Sequence, residues 1–237
     1  MIIFQISNLI IIIVLCLFME KFFKKAQEES IKTLYKCNAL KFNLNGGFQL
    51  KGGIISPLYC ETGVLENSLE TRGTVGSALN FWLGIYFPKT KIDAIIGIAS
   101  GGISWATSIA NCRALPLIRA HGKPKNHGLC GQLDGELPCD GANVIVIDDM
   151  ITSGNSVLNV VKALREGKNG KKANVLAVCS IFDWDFPTVN KKFEEAGIKK
   201  CHITSLAEVL QYGFDHKLFP EGAEEKIQRF CNEQNSL

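Results

Sequence analysis

Val144-Ile-Val-Ile-Asp-Asp-Met-Ile-Thr-Ser-Gly-Asn-Ser156 decides how this chain is read. Its first four residues are apolar and β-branched, which marks a buried strand. Two carboxylates, Asp148 and Asp149, stand at the C-terminal end of that strand. The small residues Thr152, Ser153, Gly154, Asn155 and Ser156 follow as a short loop, and Val157 to Arg165 then repeats apolar residues at helical spacing. A strand, a small-residue loop and a helix start make a cradle for phosphate, because backbone N–H groups without intrahelical partners and the helix dipole point at the anion. The acid pair adds acceptors for sugar hydroxyls or for the water shell of a metal ion. The segment points to one ligand with a phosphate, a ribose and Mg2+. The plain alternative is a capped strand-to-helix turn in an ordinary α/β domain.

A second unit of the same kind lies upstream, Ile98-Ala-Ser-Gly-Gly-Ile103. Alone, Ser100, Gly101 and Gly102 read as a tight turn. Beside the first cradle they read as a loop for pyrophosphate, because ligands of open α/β sheets gather at the C-terminal strand ends and glycines let backbone approach closely. The rest of the chain alternates strand and helix patterns. Strands are expected at Ala94–Ala99, Leu115–Ile118, Val144–Ile147, Asn174–Phe182 and Cys201–Thr204. Helices are expected at Met19–Asn38, Leu65–Phe87, Ile103–Cys112, Val157–Glu166, Pro187–Ala196, Leu206–Tyr212 and Ala223–Asn232. This alternation implies an α/β fold, a parallel sheet with helices on both faces.

Two segments fall outside the alternation. Phe48-Gln-Leu-Lys-Gly-Gly-Ile-Ile-Ser-Pro-Leu-Tyr59 reads as a Gly-broken hairpin in which Lys51 can reach over an acidic ligand. His121 to Pro138 is polar, contains glycine and has no period. A long structureless loop in a compact domain is usually functional or disordered, and Lys123, Lys125 and His127 would let this one close over a pyrophosphate. The bland reading of both is a surface hairpin and a solvated loop.

Composition sets the limits. A chain of 237 residues suits one large α/β domain with additions. A net charge of +3 and a pI of 8.3 are too mild to call for nucleic acid. The nine cysteines show no CxxC or Cys/His metal spacing and read as reduced thiols of a cytosolic chain. Against that stands the apolar run Leu9 to Phe18, followed by Lys21, Lys24 and Lys25. Residues 1–18 read as a hydrophobic extension: a membrane anchor with a cytosolic body, a start preceding the natural one, or a core helix. The run is shorter than the roughly 20 apolar residues of a spanning helix.

Position by position, the Val144–Ser156 stretch resembles the phosphoribosyl pyrophosphate (PRPP) signature of type I phosphoribosyltransferases. With Leu40-Lys-Phe42, Phe48-x-Leu-Lys51, Ser56-Pro-x-Tyr59, Lys125-x-His-Gly128, Gln132, Gly135 and Ile181-Phe-Asp183, it resembles orotate phosphoribosyltransferases from about residue 41 to 210. The resemblance implies a type I phosphoribosyltransferase fold over residues 19–237, with an N-terminal hood at about 39–64 and a flexible catalytic loop at about 121–138. It implies that Lys51 contacts orotate and pyrophosphate, and that Lys123, Lys125 and His127 act across a homodimer interface on the partner's site. It implies that Asp148 and Asp149 hold the ribose hydroxyls, that Thr152 to Ser156 cradle the 5′-phosphate, and that Ser100 to Gly102 line the pyrophosphate. Mg2+ would arrive on PRPP, with no ligand residue directly assigned.

The sequence departs from the family's usual pattern in places. His121 stands for arginine, Gly52 for serine, Glu61 for aspartate and Ile55 for a variable lysine, and Trp184 falls where some relatives carry an arginine near the orotate carboxylate. These departures leave two other readings: a PRPP-binding regulatory protein with weak catalysis, and a transferase for another base.

Overall fold

The computed structural model describes residues 21–125, 131–167 and 170–235. The hydrophobic extension at residues 1–18 and His127 lie outside the described residues.

Helix α1 covers residues 21–36. Four short strands follow: β1 (Leu40–Phe42), β2 (Phe48–Gln49), β3 (Ile55–Ser56) and β4 (Leu58–Cys60). They pair antiparallel as β1 with β4 and β2 with β3. A 3-10 helix at Thr62–Glu66 leads into α2 (Leu69–Tyr86). The single long helix expected over Leu65–Phe87 is therefore split. Asn67 ends the first piece and Ser68 caps the second, its Oγ accepting from the Thr71 N–H at 3.1 Å.

Beyond α2 come β5 (Ala94–Ala99), α3 (Gly102–Arg113), β6 (Leu117–Lys125), β7 (Gly131–Asp134), β8 (Ala142–Ile151) and α4 (Asn155–Glu166). The chain closes with β9 (Ala173–Asp183), α5 (Pro187–Glu195), β10 (Lys200–Ser205), α6 (Leu206–Asp215) and α7 (Ala223–Asn235). One six-stranded sheet has the order β10-β9-β8-β5-β6-β7. Every pairing is parallel except β6 with β7, which is antiparallel.

The central strands are buried on both faces, with Ile95, Ile96, Val144, Ile145, Val146 and Ile147 fully enclosed. Such strands need helices above and below. Helix α4 supplies one covering stripe through Val157, Val160, Val161 and Leu164, spaced three and four apart. Each such side chain contributes about 1.5–3 kcal/mol of burial.

The order of strands also places a crevice. From β5 the chain crosses through α3 to β6 on one side; from β8 it crosses through α4 to β9 on the other. Right-handed crossovers in opposite directions put the two helices on opposite faces. The β5–β8 ladder stops at Gly97 with Ile147, while β8 stays paired to β9 as far as Ile151 with Asp183. Asp148 and Asp149 sit where β5 leaves β8, at the switch point of the sheet.

The segment expected to be aperiodic, His121 to Pro138, is strand over 121–125 and 131–134. β6 runs on to Lys125 and β7 pairs back against it. His121 Nε2 meets Asp134 Oδ2 at 2.9 Å, and the Gln132 side-chain amide donates to the His121 carbonyl at 3.2 Å. This is a polar edge ribbon, and an edge strand needs no alternation of apolar residues to pair.

Candidate active site

The switch point opens into a cleft of about 430 Å³ lined by Lys51, Gly63, Glu66, Ile98, Ala99, Ser100, Gly101, Ser104, Asp148, Asp149 and Ser156. Six of the residues singled out from the sequence thus share one cavity: Lys51, Ser100, Gly101, Asp148, Asp149 and Ser156. Gly102, Thr152, Ser153, Gly154 and Asn155 shape the turns that frame it. Lys123 is exposed on β6 and does not belong to the lining, and Lys125 ends that strand.

The two helices that start at the cleft both begin from a glycine N-cap. Gly101 precedes α3 and Gly154 precedes α4, and neither start has a side-chain capping bond. By contrast α2 is capped by Ser68, and α6 by a reciprocal box between Ser205 and Glu208. The first-turn N–H groups of α3 and α4 therefore lack a protein side chain to satisfy them, the arrangement that binds phosphate. Gly154 reaches its place with φ of +71°, and a Cβ there would lie 2.7 Å from the Phe193 ring. At the other loop the approach is closer still. A Cβ on Gly101 would sit 2.3 Å from the Asp149 carboxylate carbon, and one on Gly102 would sit 2.3 Å from the Ile147 carbonyl oxygen. Only glycine lets α3 begin against the end of β8.

The acid pair is held by specific bonds. Asp148 is 7% exposed, and its Oδ1 accepts the Asp149 N–H at 3.0 Å. Burial first, and then the charge and hydrogen bond of Asp149, push the Asp148 carboxyl well above the usual carboxylate range, against the pull of Lys51. Asp149 Oδ2 accepts from Thr62 Oγ1 at 2.7 Å. Glu66 Oε2 accepts from Ser104 Oγ at 2.7 Å, which ties the 3-10 helix to the first turn of α3. Lys51 comes from the turn between β2 and β3, and the neighbouring Gly52 abuts the Thr152–Ser156 loop, where a Cβ would lie 3.3 Å from Ser153. The pocket chemistry is therefore two uncapped helix starts for phosphate groups, carboxylates for hydroxyls or a hydrated cation, and a lysine opposite.

Sequence reasoning missed Thr62, Gly63, Glu66 and Ser104. None lies in a glycine-rich loop, and no spacing brings the 3-10 helix to the end of β8. Trp184 moves the other way. It is 1% exposed and packs against Phe182, Phe186 and Phe230, lining a separate cavity between α6 and α7. Asp183, at the end of β9, is fully buried and pairs with Lys200 Nζ at 2.7 Å.

Comparison with known proteins agrees with this architecture. Residues 67–202 match the phosphoribosyl transferase domain family. An orotate phosphoribosyltransferase of Lactobacillus johnsonii is 32% identical over 185 residues, 78% of this chain and 84% of that protein. One from Oceanobacillus iheyensis is 33% identical over 180 residues, 76% of this chain and 86% of its own length. Among solved structures, the orotate phosphoribosyltransferase of Aeropyrum pernix superposes with a TM-score of 0.63 at 24% identity, covering 77% of this chain and 98% of that one. Two glycine-framed loops and an acid pair at adjacent strand ends, together with these matches over most of the chain, make it a member of the type I phosphoribosyltransferases, in their orotate phosphoribosyltransferase family.

Proposed function

We propose that this chain transfers the 5-phosphoribosyl group of PRPP to orotate, giving orotidine 5′-monophosphate and pyrophosphate on the route to UMP, as a cytosolic homodimer. The observation that carries the reading is the single cleft where Lys51, Ser100, Gly101, Asp148, Asp149 and Ser156 meet.

The residues divide the ligand among them. The start of α4, Thr152 to Ser156, takes the 5′-phosphate. The start of α3, with Ser100 and Gly101, takes pyrophosphate oxygens. Asp148 and Asp149 accept from the ribose hydroxyls, which fixes the sugar with its anomeric carbon toward the hood. Lys51 approaches from the hood side, over orotate and the leaving group. Orotate N1, reacting as an anion after its proton has gone to solvent, then forms its bond to the anomeric carbon as the carbon–oxygen bond to pyrophosphate breaks and its electron pair leaves with pyrophosphate. Positive charge grows on the sugar, negative charge on the leaving group. Fixed N–H dipoles and lysines stabilise the second, and exclusion of water prevents hydrolysis.

The carboxylates lining the cleft are hard oxygen donors of the kind Mg2+ accepts. Among the described residues no group of three or more His, Cys, Asp or Glu gathers into a metal cage. An Mg2+ ion carried by substrate phosphates and waters would touch the protein through one or two carboxylates, here Asp148 and Asp149. When bound, Mg2+ neutralises charge on pyrophosphate.

The test is turnover by the purified full chain with Mg2+, PRPP and orotate, following orotate loss and pyrophosphate release. Turnover needing all three is expected. Lys125→Ala should cut it by at least about tenfold, the cost of losing one charge-stabilising group. Binding of PRPP without turnover of orotate or any other base would favour a PRPP sensor, and turnover of a different base would reassign the acceptor.

A further inference from the structure

We propose that Thr62 is a positioning residue that sets the Asp149 carboxylate for the ribose; the proposal rests on the role assigned to Asp149 above. The two acids of the signature stand side by side but are anchored by different means. Asp148 is buried and held by the backbone, through the Asp149 N–H at 3.0 Å. Asp149 is only half-buried. Among the described residues its side-chain anchor from outside the acid pair is the Thr62 hydroxyl, 2.7 Å from Oδ2.

Thr62 itself is 2% exposed and is the first residue of the 3-10 helix that follows the hood strand β4. It does not line the cleft, whereas Gly63, the next residue, does. A threonine hydroxyl has one proton, and here it goes to Oδ2. On another side Gly101 stands so close that a Cβ would meet the carboxylate carbon at 2.3 Å. Gripped by Thr62 and flanked by Gly101, the carboxylate keeps one rotamer and leaves Oδ1 to accept from the ligand. The neighbouring hood residues register the same charge. Burial first, and then Asp149, raises the Tyr59 hydroxyl and the Cys60 thiol above their ordinary ranges. The bond also joins the hood to the end of β8, so the segment that carries Lys51 and the residue that holds the sugar are placed by one fixed contact.

Three variants separate the hydroxyl from packing. Thr62→Val keeps the shape and loses the donor; Thr62→Ser keeps the donor and loses a methyl; Asp149→Asn tests the parent assignment. Thr62→Val is expected to lower kcat/KM for PRPP by about tenfold, the scale of one hydrogen bond to a charged group. The loss should fall chiefly on the KM for PRPP, with the KM for orotate within about twofold, because the bond acts on the sugar's partner. Thr62→Ser is expected to recover wild-type values, and adding Thr62→Val to Asp149→Asn should cost nothing further. Thr62→Ala, made alongside, serves the same comparison if the valine variant does not fold. Activity of Thr62→Val and Thr62→Ala equal to wild type, while Asp149→Asn is crippled, overturns the positioning role and leaves the Asp149 assignment standing. Equal damage by serine and valine overturns it in favour of packing. A harmless Asp149→Asn overturns the assignment of Asp149 and this inference with it.

Discussion

Gly101 has no room for a side chain, and the reason is chemical as well as steric. Its Cα faces the Asp149 carboxylate, where an added Cβ would sit 2.3 Å from Cγ and 2.5 Å from both oxygens. A methyl group there must push the acid away or lift the start of α3. Gly101→Ala is therefore expected to cost at least about tenfold in kcat/KM for PRPP, measured by initial rates. Gly102→Ala would act on stability instead, because its Cβ would meet backbone, the Ile147 oxygen at 2.3 Å. Denaturant unfolding should show a loss of about 1–3 kcal/mol, typical of overpacking. Wild-type kinetics in Gly101→Ala would mean that the acid and the loop can part freely.

The ends of β9 and β10 are joined by a buried charge network away from the cleft. Lys200 Nζ lies 2.7 Å from Asp183 Oδ2 and 2.9 Å from Asp185 Oδ1. His202 Nδ1 lies 3.6 Å from Asp183 Oδ2, and its Nε2 lies 3.9 Å from Glu208 Oε2. Burial alone would lower the His202 pKa, but Asp183, Glu208 and Asp185 together raise it above its ordinary value. Burial likewise favours the neutral form of Asp183, yet His202, Lys200 and the Asp185 N–H hold that carboxyl below the usual range. A raised histidine pKa stabilises the fold fully below the unfolded value of about 6.5 and loses that contribution as pH rises through the folded value. The lowered Asp183 works in the opposite window, losing its contribution only as pH falls through its own folded value. Wild type should thus lose stability relative to His202→Gln between pH 6 and 8, read by denaturant melts at each pH, about the histidine range. Parallel curves for the two proteins would rule out the pairing.

At the scale of the whole molecule, Lys123 and Lys125 stand on an edge ribbon, and Lys123 is outside the lining of its own chain's cleft. The proposed homodimer gives them a site to act on. Lys125→Ala and Asp149→Asn are each expected to be nearly inactive. Mixed by denaturation and refolding at equal amounts, they should recover about a quarter of wild-type activity, since half the dimers would be mixed and each would hold one intact site. No recovery, with heterodimers shown to form, would put the loop and its acid pair in the same chain. Among the described residues no helix is long and apolar enough to cross a membrane.

What the sequence determined by itself was whatever local pattern encodes. Four β-branched residues before two acids place a strand end, small residues place the loop, and the three-and-four spacing of Val157, Val160, Val161 and Leu164 places the helix behind it. Both glycine-framed loops and the acid pair were legible in this way. The tertiary structure decided what faces what. Thr62 and Asp149 are 87 positions apart, and Glu66 and Ser104 are 38 apart; no period relates such residues. The edge ribbon β6–β7 was hidden because, among its described residues beyond Ala120, only Leu133 is buried, too little apolar alternation to announce a strand. Trp184 follows the acid end of β9, yet its ring turns into an aromatic cluster with Phe182, Phe186 and Phe230 rather than toward the cleft. Backbone periodicity fixes where an element lies, but the direction of a side chain beyond its end is chosen by the packing it finds there.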